Sequence, residues 1–131
     1  MLKKLHGALL SIFLFSSIAT LNGCVALVVG AAAGAGTLAF VKGILEYNVD
    51  QPISKAHKAV LAGLRDLGVI VRSDEVTSHN TTTKAEFEKG TDLTVELESL
   101  TELATKIKIR VGVFGDEAKS QMVLEAIKKR L

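Results

Sequence analysis

No tryptophan occurs in this chain, and tyrosine, cysteine and proline occur once each among 131 residues. With one cysteine there can be no internal disulfide and no thiolate-rich zinc site, so packing alone must hold the fold. One tyrosine and no tryptophan leave little of the aromatic platform on which single-stranded nucleic acid stacks. The single proline, Pro52, opens a new element. Histidine is scarce as well: His57 and His79 are the only two beyond the first 23 residues. No helical pattern carries two histidines one turn apart, and no Gly-x-Ser-x-Gly elbow is present. The sequence thus contains no recognisable catalytic, cofactor-binding or metal-ligating signature. His79, close in sequence to Asp74 and Glu75, is the best acid/base candidate, in a Ser-His-Asn turn where a histidine ordinarily serves the turn.

What is present begins at the N-terminus. Lys3 and Lys4 precede an apolar run from Ala8 to Ala19, and Leu21-Asn22-Gly23-Cys24 closes it. A short positive segment, an apolar core and small residues before a cut is the layout of an export signal. The apolar run falls short of the roughly 20 residues a spanning helix needs. A cysteine directly after the small residue is where a diacylglyceryl group is attached in a bacterial lipoprotein, so Cys24 is the expected lipidation site and residues 1–23 the expected leader.

Removing 23 of the 131 residues leaves 108, enough for one domain that buries roughly two-thirds of its unfolded surface. The 16 Lys and Arg fall to 14 against 14 Asp and Glu, so the processed chain is formally neutral. Neutrality excludes the basic footprint of nucleic-acid binding. From Val25 to Val41 there is no charge, and Gly, Ala and Val dominate. Residues 24–37 read as a lipidated Gly/Ala-rich tether. The Gly30-x-x-x-Gly34 spacing also fits a membrane-inserted or self-associating segment, and a longer leader is a third reading.

The expected domain spans 38–131. Leu38 to Val49 suits a strand interrupted or bulged near Gly43. After Pro52, the stripe Ile53, Ala56, Val60, Leu64 and Leu67 predicts an amphipathic helix with Gly68 as its C-cap, followed by Val69-Ile70-Val71 as a buried strand. Strands over 69–76, 81–87, 93–99 and 106–113 then form an antiparallel meander. Setting Glu96 opposite Lys108 and Glu98 opposite Lys106 puts Leu93, Val95, Leu97, Ile107, Ile109 and Val111 on one face and the charges on the other. Setting Phe87 opposite Leu93 brings Lys84 beside Glu96. This charged row is either a recognition surface for a charged partner or a solvated outer face. Asp116 opens a C-terminal helix carrying Ala118, Met122, Val123, Ala126, Ile127 and Leu131. Lys128, Lys129 and Arg130 complement its negative end and are available to lipid head groups. The expected class is α+β: strand, helix, four-stranded antiparallel meander, and a C-terminal helix packed on one sheet face.

The lipobox-like Leu21–Cys24, the Gly/Ala-rich stretch from Val28 to Gly36, the helix from Ala56 to Gly68, and above all Ile109-Arg110-Val111-Gly112-Val113-Phe114-Gly115-Asp116-Glu117-Ala118 resemble small bacterial lipoproteins grouped as domain of unknown function 3568. The resemblance implies a compact α+β lipoprotein of the cell envelope with no assigned activity. Lipoproteins with Asp directly after the modified cysteine tend to stay in the inner membrane, so Val25 implies the outer membrane, facing the periplasm. The expected function is a non-enzymatic interaction or structural module held to the membrane through Cys24, with an unidentified envelope protein as partner. The alternative is a module binding a lipid or small hydrophobic ligand. Large aliphatic inward residues favour a filled core and hence the first reading.

Overall fold

The computed structural model describes residues 37–87 and 89–131. The expected leader, Cys24 and the expected tether up to residue 36 lie outside the described residues. Strands β1 (Leu38–Val41) and β2 (Ile44–Val49) are followed by helix α1 (Ile53–Asp66). Strands β3 (Ile70–Val76), β4 (Asn80–Phe87), β5 (Thr91–Thr101), β6 (Ala104–Val111) and helix α2 (Glu117–Lys128) complete the order. The six strands form one antiparallel sheet in the order β1-β2-β6-β5-β4-β3. The class is α+β, and the expected meander β3 to β6 lies within this larger sheet.

The stretch expected as a strand interrupted or bulged near Gly43, Leu38 to Val49, is a hairpin of two strands. Lys42 (φ 52°) and Gly43 (φ 80°) both take left-handed backbone, and Val41 pairs with Ile44 across them. Two consecutive positive φ values match the twist of a two-residue hairpin. Lys-Gly lacks the Asn-Gly or Asp-Gly signature that announces such a turn. The hairpin docks through β2 on β6, with Leu45 opposite Ile109 and Tyr47 opposite Ile107.

Helix α1 ends as its sequence predicts. Gly68 (φ 68°) donates its N–H to the Arg65 carbonyl at 3.0 Å, and Val69 donates to the Leu64 carbonyl at 3.0 Å. That pair of bonds is a Schellman motif. Asp116 caps α2, its carboxylate accepting the Lys119 N–H at 3.0 Å. That bond, with the Lys119 charge, holds the Asp116 carboxyl below its ordinary pKa despite some desolvation.

The core lies on one face of the sheet. Leu93, Val95, Leu97, Ile107, Ile109 and Val111 are buried there with Leu45 and Ala85, beneath Ala56, Ala59, Val60 and Leu64 of α1 and Val123, Leu124 and Ile127 of α2. The β5–β6 register is the expected one: Glu96 faces Lys108 and Glu98 faces Lys106. The helices approach closely at Gly63, where an added Cβ would sit 2.9 Å from the backbone nitrogen of Ile127.

Three expectations are corrected. Ala85, not Phe87, faces Leu93, and Phe87 faces Thr91. The connection is shorter than expected because Lys89 (φ 75°) and Gly90 (φ 77°) turn the chain back tightly, and Lys84 consequently faces Thr94 rather than standing beside Glu96. Val69 is buried, but Ile70 and Val71 are 61% and 40% exposed. They begin an edge strand that the helices cover little, with Ile70 on the outer face opposite Glu86 and a bulge between Val71 and Ser73. On α2, Ala118 and Met122 face solvent, while Ser120 and Leu124 join Val123 and Ile127 in the buried stripe. Ser120, Val123, Leu124 and Ile127 follow the helical period more closely than the expected set.

Candidate functional site

Both helices cover the same face, so among the described residues nothing packs on the other face of the sheet, and alternation along the strands fills it with polar side chains. Its central row runs Lys84–Thr94–Arg110 across β4, β5 and β6, with Ile44 of β2 lining the same groove; the next runs Thr82–Glu96–Lys108–Glu46 across β4, β5, β6 and β2. A shallow groove of about 300 Å³ follows the two rows.

The ion pairs on this face cross the rows diagonally. Lys108 Nζ reaches Glu98 at 3.0 Å, one pair along from the directly opposite Glu96, and Lys106 reaches Glu46 of β2 at 3.9 Å. The Lys108 hydrogen bond and charge hold the Glu98 carboxyl below its usual pKa, and Glu98 in turn raises the Lys108 ammonium against partial desolvation. Arg72 Nε donates to Glu86 at 2.8 Å. Lys84 and Arg110, flanking Thr94, have no carboxylate partner among the described residues. The expected alternation Lys, Glu, Lys across three strands is therefore replaced by a local cationic row of Lys84 and Arg110 with Thr94 between them.

A second cluster lies where the start of α1 meets β3 and β4. His57 Nε2 sits 2.9 and 3.0 Å from the two oxygens of Asp74, and the Thr83 hydroxyl donates to Asp74 at 2.7 Å. An ionised carboxylate only accepts, so the imidazole presents its Nε2–H to it. Partial burial raises the Asp74 pKa, but the bonds from His57 and Thr83 outweigh that effect and hold the carboxyl below its ordinary value. Beside the pair is an open groove of about 350 Å³, with Ile53 and Val76 as apolar walls and Ser54, Lys58 and Thr81 at its margins. The Thr81 hydroxyl is buried without a hydrogen-bond partner among the described residues.

The residue singled out from the sequence, His79, is not part of this cluster. It lies in the exposed β3–β4 turn, where its backbone carbonyl accepts the Ser99 N–H at 2.8 Å. Asp74 faces Thr83 on the inner side of its strand, while Glu75 pairs with Thr82. Asp74 therefore meets His57, 17 residues away on α1, a neighbour no sequence spacing announces. Among the described residues no three His, Cys, Asp or Glu side chains gather as a metal site.

The basic trio at the C-terminal end of α2 is largely engaged. Lys128 bonds Glu125 at 2.9 Å and lies 5.6 Å above the Tyr47 ring, and Arg130 clasps Asp66 of α1 at 2.6 and 2.7 Å. Arg130 holds the Asp66 carboxyl below its usual pKa through those bonds, against some desolvation.

A third feature is the end of the sheet formed by the β1–β2 turn and the loop leading from β6 to α2. Gly43 and Gly115 (φ 81°) meet backbone to backbone there, since a Cβ on either would lie within 2.3 Å of the other segment. Their contact leaves Val113 79% and Phe114 93% exposed.

The described residues form a small α+β domain whose two helices cover one sheet face and leave the other uncovered. The chain matches, over residues 7–130, the family described as "Protein of unknown function (DUF3568)", and it belongs to that family. No characterised protein matches it.

Proposed function

We propose that this chain is a bacterial envelope lipoprotein, anchored through acyl chains on Cys24 in the outer membrane and facing the periplasm, whose domain is a non-enzymatic interaction module. The observation that carries the module reading is the sheet face that no described residue covers, with the cations Lys84 and Arg110 unpaired among the described residues on either side of Thr94. A filled inner face, with Val95, Ile107 and Ile109 fully buried, leaves recognition to the surface. The partner is an envelope protein presenting carboxylates to that row, where charge complementarity mainly sets selectivity and rate. The finer sequence-based division, with a leader over 1–23, a tether over 24–37 and a domain over 38–131, is part of the same proposal.

In vivo crosslinking of the full-length protein, followed by pulldown from detergent-solubilised membranes, tests this reading beside Cys24→Ala and a Lys84→Glu/Arg110→Glu pair. The expected result is one protein partner lost with either change, with thermal stability of the double variant nearly unaltered. A partner retained at full yield by the double variant would refute the sheet-face assignment. The apolar walls beside His57 favour a second reading, binding of a small hydrophobic ligand. Native mass spectrometry showing one stoichiometric lipid beyond the covalent acyl chains, with no protein partner, would select it.

A further inference from the structure

The end of the sheet carrying Val113 and Phe114 has no role in the proposed sheet-face contact. Gly112 donates its N–H to the Asp92 carbonyl at 2.7 Å, and Asp116 donates to the Val111 carbonyl at 2.9 Å, so the loop is bonded at both sides. The Gly43–Gly115 contact fixes it against the β1–β2 turn. A firmly held loop thus presents an almost fully exposed phenylalanine, an exposed valine and, from the adjoining hairpin, Val41 at 53% exposure beside Lys42. Exposed apolar side chains with an adjacent lysine are the composition of a protein surface seated in the head-group region of a bilayer.

We propose that Val113, Phe114 and Val41 insert into the surface of the bilayer that holds the anchor, with Lys42 at the level of the anionic head groups. The proposal rests on the reading of Cys24 as a lipid anchor and adds the orientation of the domain on the membrane. Three observations select a bilayer over a second copy. The uncharged run Val25 to Val41 begins next to Cys24 and ends at the tip itself. The 14 steps from Cys24 to Leu38 can span up to about 46–50 Å, while β1 covers only about 13 Å, so the acyl chains and the tip can share one membrane plane. The exposed patch is on the order of a few hundred Å², short of the ~800 Å² per partner that a stable dimer buries. With the tip seated, the open sheet face stands beside the membrane and remains accessible to a partner.

The absence of tryptophan makes the test direct. Phe114→Trp and, separately, Leu103→Trp each introduce a single indole. Leu103 is 68% exposed at the opposite end of β6, about 25 Å away. Full-length protein from membranes is placed in vesicles of phosphatidylethanolamine and phosphatidylglycerol containing lipids brominated on their acyl chains. The mass of its N-terminal peptide reports independently whether Cys24 is acylated. Where it is not, the same thiol is coupled to a maleimide lipid, so the tip is tested whatever the fate of the anchor reading. The expected result is blue-shifted emission quenched at least twofold for the Phe114→Trp chain and neither change for the Leu103→Trp chain. Equal, unquenched emission from both chains on co-floating vesicles would overturn the proposal. So would a blue shift of the Phe114→Trp chain that grows with protein concentration without lipid, which would assign the tip to self-association.

Discussion

The backbone contact between Gly43 and Gly115 can be weighed by adding one methyl group. In Gly115→Ala the new Cβ would lie 2.1 Å from the Gly43 carbonyl oxygen and 2.3 Å from its Cα, and φ is +81°. Left-handed backbone costs an alanine about 1–2 kcal/mol. Separating two packed segments to admit a methyl adds about 1–3 kcal/mol. The sum, ~2–5 kcal/mol, is a large fraction of a small domain's stability. Gly68→Ala is the control, because Gly68 is also left-handed at φ +68° but has nothing within 4 Å of the added Cβ. It should cost only the backbone term, about 1–2 kcal/mol. With no tryptophan as a reporter, urea unfolding followed by far-ultraviolet circular dichroism is the suitable assay, with an unchanged m-value as the check on two-state behaviour. Gly43→Ala should resemble Gly115→Ala, since its Cβ would lie 2.3 Å from the Phe114 carbonyl oxygen. The double variant should cost less than the sum of the two, because one separation relieves both clashes. A Gly115→Ala loss within about 0.5 kcal/mol of the Gly68→Ala loss would refute the close approach and, with it, the rigid tip.

On α2, Leu124→Ala should cost about 2–5 kcal/mol, because Leu124 is 2% exposed, while Met122→Ala, at a residue 45% exposed, should cost well under half as much by the same unfolding assay. Equal losses would restore the helix face expected from the sequence. Asp74 has its pKa lowered in the folded state, so it stabilises the fold above the ordinary carboxylate range, and that contribution disappears as pH falls through the folded value. Asp74→Asn should therefore lower stability by about 1–2 kcal/mol at pH 7 and flatten the acid limb below about pH 4, read as melting temperature against pH. An acid limb of unchanged slope would show that the His57–Asp74 bond is not maintained in solution.

Part of the site was legible from the strands themselves. The alternation in β5 and β6 has one register that buries Leu93, Val95 and Leu97 with Ile107, Ile109 and Val111 while opposing Glu to Lys, and the sheet adopts it. A one-residue slip would place every apolar side chain in water. The β4–β5 register escaped because a two-residue shift keeps the same residues inward, so only the turn at Lys89 and Gly90 decides it. That choice moved Lys84 opposite Thr94 and created the cationic row with Arg110. His57–Asp74 was illegible for another reason, since a helix and an edge strand 17 residues apart are joined only by their packing.

The amino-acid sequence by itself determined the short-range features of this protein: the α1 stripe and its stop at Gly68, the Asp116 cap, and the facing of β5 against β6. Each follows from periodicity or cap chemistry within a few residues. The proposed leader and the proposed lipidation at Cys24 rest on the same local kind of information. Only the tertiary structure decided that the first hairpin docks on β6, that both helices lie on one face, that Gly63 admits α2, and that Gly43 meets Gly115 to hold Phe114 in the open. These are choices among topologies of similar local energy, settled by which arrangement buries the apolar face in common and lets two backbones touch where neither carries a side chain.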